Sequence, residues 1–151
     1  MCTVDSTTDV VRRYARAICT APSTWPEDVG AAFGVDLAGA RLLGTQLTCP
    51  PPPELAALVL VLGLHTGQVS TVELRPVAPT SLDELRQKLG PSRVTPPGPH
   101  DSVPTIILRE VWPEDSPRAC AVLVRPSRTW PREPLVESVI LHPRGRPDGV
   151  D

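Results

Sequence analysis

A chain of 151 residues and 16.2 kDa is the size of one ordinary domain, able to bury roughly two-thirds of its unfolded surface in a single core. Its formal net charge of -2 and pI near 5.9 supply no positive field for a phosphate backbone, which argues against nucleic acid as a partner. Hydrophobic residues make up 40% but aromatics only 3%, and 20 residues are proline, so the core is expected to be aliphatic and the connections stiff.

Among the basic residues only Lys88 is a lysine. Arginine suits bidentate recognition of carboxylates and phosphates, but beside so much Pro, Ala, Gly and Val the bias reads first as GC-rich coding. The longest apolar run, Leu55 to Leu64, falls short of the ~18 residues of a membrane span. The opening "MCTVDSTTDVVRRYARA" lacks the basic-then-apolar order of a secretory signal, so a cytoplasmic protein with no membrane association is expected. Cys2, Cys19, Cys49 and Cys120 form no CxxC pair and read as free thiols of a reducing compartment.

Taken in chain order, Val10, Val11, Tyr14, Ala15 and Ile18 recur at helical spacing within Thr7 to Cys19, with Arg12, Arg13 and Arg16 largely opposite. This predicts a leading amphipathic helix. "STWPEDVGAAFG", residues 23 to 34, predicts a second, with Thr24 as N-cap, Pro26 in the first turn, Glu27 completing a capping box and Gly34 as the left-handed stop.

Leu55 to Leu64 follows four prolines, Pro50 to Pro53, and precedes a His65-Thr66-Gly67 turn. These neighbours favour a strand covered on both faces over a helix. "VSTVELRP" at 69 to 76 predicts the next strand, and "PTSLDELRQKLG" at 79 to 90 a third helix capped by Thr80 or Ser81. "PSRVTPPGPHDSV" at 91 to 103 reads as a loop. "TIILREVW" at 105 to 112 should pair with Ala119 to Arg125, Leu135 to His142 should be the last strand, and residues 144 to 151 a polar tail.

The second half echoes the first. Thr24 to Gly34 resembles Thr80 to Gly90, "AALVLV" at 56 to 61 resembles "ACAVLV" at 119 to 124, and Val69, Val72, Leu74 and Pro76 match Val136, Val139, Leu141 and Pro143. The expected fold is α+β. Two tandem helix-strand-strand-strand units, about 24 to 77 and 80 to 143, form one antiparallel sheet with helices on one face, led by the N-terminal helix. Residues 1 to 143 make a single domain.

Chemistry-bearing patterns are sparse. His65, His100 and His142 show no metal-ligand spacing, so no metal or other cofactor is expected. GxSxG is absent, and Cys49 has no Lys or His near in sequence to lower its pKa, which favours an inert thiol over a nucleophile. "HD" at 100 to 101 reads as a solvated pair, and "GVDLAGA" at 34 to 40 matches neither glycine fingerprint of a nucleotide site. No catalytic residues are assigned. Trp112, Arg125, Arg128, Trp130 and Arg132 instead cluster around a proline-framed segment, "RPSRTWPRE". Tryptophan and arginine dominate binding hot spots, so these five are the candidate partner-binding residues; the competing reading has Trp130 plugging the sheet end.

The paired helix-plus-strand pattern, carried by Thr24 to Gly34 with Thr80 to Gly90 and by "VELRP" with "VILHP", resembles the duplicated architecture of the beta-lactamase inhibitory protein family, its outer-membrane assembly lipoprotein relatives and small bacterial immunity proteins. The inhibitor family is secreted, disulfide-bonded and aromatic-rich on its binding face, unlike this chain. The resemblance implies a non-catalytic module that neutralises or scaffolds a protein partner such as a toxin or enzyme. Two alternatives stand beside it. One is a small-molecule binder or cyclase-like enzyme with a pocket in a curved sheet where His65, Asp36 or His142 meet. The other is a self-associating structural subunit, giving a homodimer.

Overall fold

The computed structural model describes residues 7–77, 80–89, 93–95, 105–111, 118–127, 132 and 135–145. The leading helix α1, Thr7–Thr20, forms as its spacing requires, with Val10, Val11, Tyr14, Ala15 and Ile18 buried along one stripe. Helix α2 spans Pro26–Phe33 and helix α3 spans Leu82–Leu89.

Four strands follow α2: β1 Arg41–Leu43, β2 Gln46–Cys49, β3 Leu55–Leu62 and β4 Val69–Pro76. Another four follow α3: β5 Arg93–Thr95, β6 Thr105–Val111, β7 Arg118–Pro126 and β8 Val136–Gly145. All join one antiparallel sheet in the order β1-β2-β3-β4-β8-β7-β6-β5. The chain is thus α+β, with β4 and β8 meeting in the middle.

Register fixes which side chains face the helices, because alternate strand residues point to opposite faces. Leu58 pairs with Leu74 and Leu60 with Val72; Val72 pairs with Leu141 and Leu74 with Val139; Val122 and Val124 complete the rows. These residues are buried together with Val11, Ile18, Val29, Leu82 and Leu85 from the three helices. The described helices therefore pack on one face, and the core is aliphatic, as the composition requires.

Several expectations are corrected. Each half has four strands rather than three: the first half adds β1 and β2 to the two strands located in its sequence, and the second adds β5, Arg93–Thr95, within the stretch 91 to 103 read as a loop. Strand β3 ends at Leu62, leaving Leu64 exposed in the following turn. Its second face, with Ala57, Val59 and Val61 half-buried, carries no described helix and is not fully covered. Strand β8 continues through Arg144 and Gly145, which pair with Ala119 and Arg118, two residues into the stretch read as tail.

The match of "AALVLV" to "ACAVLV" is out of phase. It sets core-facing Leu58 and Leu60 against Ala121 and Leu123, which point to the other face, whereas the core-facing residues of β7 are Val122 and Val124. By contrast, the matched pairs Thr24/Thr80 and Val69/Val136 make the same backbone hydrogen bond. Val69 N donates to Thr24 O at 2.7 Å, and Val136 N to Thr80 O at 3.0 Å.

The capping box on α2 does not form. Trp25 is the N-cap and makes no side-chain cap bond. The Thr24 hydroxyl bonds Gln68 Oε1 at 2.6 Å instead, since clipping the segment to the β3–β4 turn uses the same oxygen. Gly34 does end α2 at φ 74°, its N–H donating to Ala31 O, the left-handed stop only glycine adopts without strain. On α3, Ser81 Oγ accepts from Glu84 N at 3.4 Å, so Ser81 rather than Thr80 supplies the cap.

Candidate partner-binding face

The sheet face on which no described helix packs is built from the residues between those of the core. Its middle is aliphatic: Val59 and Val61 on β3, Ile140 on β8 and Leu123 on β7 are each half-buried, and Ile140 pairs directly with Leu123. Polar positions alternate with them, Thr48 opposite Val59 and Thr71 opposite Val61. On β7 and β8 the face closes on both sides of that middle, with Ala119 and Ala121 buried toward the Arg144 end and Ser138 buried opposite Arg125.

Arginines surround this middle. Arg41 pairs with Thr48 on the edge, Arg75 with Ala57, Arg125 with Ser138 and Arg144 with Ala119, and all four are exposed. Glu73, opposite Ile140, lies 3.6 Å from Arg75 Nε. Glu137, the residue bulged out where β7 and β8 shift register, is exposed near the Arg125 end.

Of the five residues nominated from sequence, Arg125 lies on this face and Arg132 is exposed in the connection from β7 to β8. Trp112, Arg128 and Trp130 lie outside the described residues. Sequence reasoning missed Arg41, Arg75 and Arg144. The signal was period two: in "VELRP" Leu74 is a core position, so Arg75 must face away.

The histidine reading finds separate environments. His65 is exposed in the β3–β4 turn, Asp36 Oδ1 accepts from Ala38 N at 2.9 Å, and His142 Nδ1 donates to Ser70 O at 3.0 Å. Among the described residues no three His, Cys, Asp or Glu side chains group as a metal site, and no helix is long and apolar enough to cross a membrane.

An open hollow of about 310 Å³ beside α1 is lined by Asp9, Arg12, Arg13 and Arg16, charged groups rather than the apolar lining of a small-molecule pocket. Next to it Arg13 Nη2 meets Glu54 Oε1 at 2.7 Å, and the Tyr14 hydroxyl donates to the same oxygen at 3.0 Å. Burial, followed by the hydrogen bond to Glu54 and its charge, pushes the Tyr14 phenol up to about 12. Burial also raises the Cys49 thiol, whose Sγ donates to Leu47 O at 3.8 Å, so this cysteine lacks the lowered pKa of a nucleophile.

Compared with known proteins, the chain matches no family model, no curated protein and no solved structure.

Proposed function

We propose that this chain is a non-catalytic protein-binding module of the immunity or inhibitor type, which docks a protein partner on its sheet. The observation that carries the reading is the sheet face without a described helix, an aliphatic middle ringed by exposed arginines. That is the anatomy of an interface, an apolar centre with a polar, arginine-enriched rim.

The scaffold is a duplicated helix-plus-meander unit. The repeated bond from Val69 to Thr24 and from Val136 to Thr80 supports this, as does the central pairing. Val72 pairs with Leu141 and Leu74 with Val139, so each residue meets the counterpart of its neighbour, as two copies related by a two-fold axis must. A duplicated sheet makes a broad, stiff platform, which lowers the ordering cost of binding.

Native mass spectrometry of the protein captured from its host's lysate tests the reading. A stoichiometric heterocomplex is expected, and it should be lost in an Arg128→Ala/Trp130→Ala double variant that keeps its circular dichroism. Affinity unchanged by that substitution would move the site away from the nominated segment. A partner-free monomer retaining a small molecule would replace the reading with the ligand-binding one.

The edge strand favours a second reading, self-association. Leu42 and Leu43 on β1 are 62% and 82% exposed, and an apolar edge invites pairing with another strand. A homodimer mass abolished by Leu43→Lys would support it.

A further inference from the structure

We infer that the partner surface is acidic, an exposed cluster of Asp and Glu on another protein, seated across Arg41, Arg75 and Arg125. The inference rests on the protein-binding reading and adds to it the site's extent and the partner's chemistry.

The chain is net negative, yet its sheet face is not: on the helices Asp9, Glu27, Asp28, Asp83 and Glu84 are balanced by Arg12, Arg13, Arg16, Arg86 and Lys88. The helical layer carries Glu27, Asp28, Asp83 and Glu84 in the first turns of α2 and α3. There the helix macrodipole stabilises carboxylates. The sheet face without a described helix carries Arg41, Arg75, Arg125 and Arg144, with Glu73 between β3 and β8 held against Arg75 and Glu137 at the bulge. A negative chain therefore presents a positive face, and a face of one sign selects a partner of the other.

The spacing suits carboxylates on a protein. Strands lie about 4.8 Å apart, so Arg75 on β4 and Arg125 on β7, separated only by β8, stand about 10 Å apart at the backbone; Arg41 on β1 extends the row to about 24 Å. Guanidinium forks take carboxylates two bonds at a time, and the aliphatic middle offers apolar contact between them. A nucleic acid presents a continuous phosphate line and calls for a basic domain of high pI. This chain, with a pI near 5.9, repels such a polymer at long range.

The test is fluorescence anisotropy with a labelled Glu- and Leu-rich peptide, the same peptide with Gln replacing Glu, and a labelled DNA duplex. The wild-type chain should bind the acidic peptide, lose most of that affinity at high salt, and bind the Gln peptide and the duplex at least about tenfold more weakly. Arg41→Glu/Arg75→Glu/Arg125→Glu should abolish peptide binding, and the milder Arg→Gln set, which keeps the exposed positions soluble and uncharged, should weaken it about tenfold. A control of equal charge change on the helical layer, Arg12→Glu/Arg16→Glu/Arg86→Glu, should bind like wild type.

Three results overturn the inference: no peptide binding by wild type, equal loss in the helical-layer control, or preference for the duplex. Running the sheet-face variant through the lysate capture separates the two readings. A heterocomplex that survives the reversal leaves the module a protein binder with its site elsewhere. Absence of any heterocomplex removes both.

Discussion

Tyr14 shows how a single residue couples packing to pH. It is 3% exposed, stacks edge-on to Phe33 at 4.9 Å between ring centroids and donates to Glu54. Ionising it would place a phenolate in the core beside a carboxylate, which is why its pKa rises from 10 to about 12. Below pH 10 both folded and unfolded chains keep the proton, and the tyrosine's contribution to stability is fully present. Between about 10 and about 12 the unfolded chain releases it first, so that contribution falls as pH rises. Tyr14 is the sole tyrosine, so the tyrosinate absorbance near 295 nm reports it alone. We expect a midpoint well above that of the denatured chain, moved down by Glu54→Gln; a midpoint equal to the denatured one would remove the Tyr14–Glu54 contact.

At the scale of an element, α1 depends on a residue about a hundred positions away. Its last turn holds no basic side chain, which leaves the negative end of the helix dipole and its final carbonyls without local cover. Arg118, at the start of β7, supplies it: Nε donates to Ile18 O at 3.3 Å and Nη2 donates to Ala21 O. Hydrogen bonds from a charged donor contribute about 1.5–3 kcal/mol. Arg118→Ala should therefore lower stability by about 2 kcal/mol in urea denaturation, with Arg118→Lys recovering part of the loss. A loss within error of zero would make the contact incidental.

For the molecule as a whole, β8 is the joint. It pairs with β4 on one side and β7 on the other, so the two meanders share one core across it. Leu141 is fully buried there, and Leu141→Ala should cost about 2–5 kcal/mol through lost transfer energy and a residual cavity. Because both halves lose packing together, fluorescence and far-UV circular dichroism should still report one coincident transition. Two separated transitions would mean that the halves fold independently.

The sequence by itself determined where regularity lies. Helix α1, the long strands and the Gly34 stop are local facts, set by hydrophobic period and by the backbone freedom of one residue. It also determined an aliphatic core, since few aromatics exist to fill one. The short strands β1, β2 and β5 were not legible, because three or four residues such as Arg41–Leu43 carry too little alternation to stand out and are strands only by pairing with a neighbour. The cap of α2 failed for a related reason: Thr24 had a partner in Gln68 that no local rule contains. Of the five nominated residues, Arg125 lies on the sheet face without a described helix, and it drew notice because Trp130 follows shortly after it in the chain. Arg41 and Arg75 lie far from it in sequence and join it only when the strand order places β4, β8 and β7 side by side. Which face takes the described helices was likewise decided by tertiary structure, since they cover one side of the sheet according to how α1 packs, and the sequence of each strand specifies only that its two sides differ.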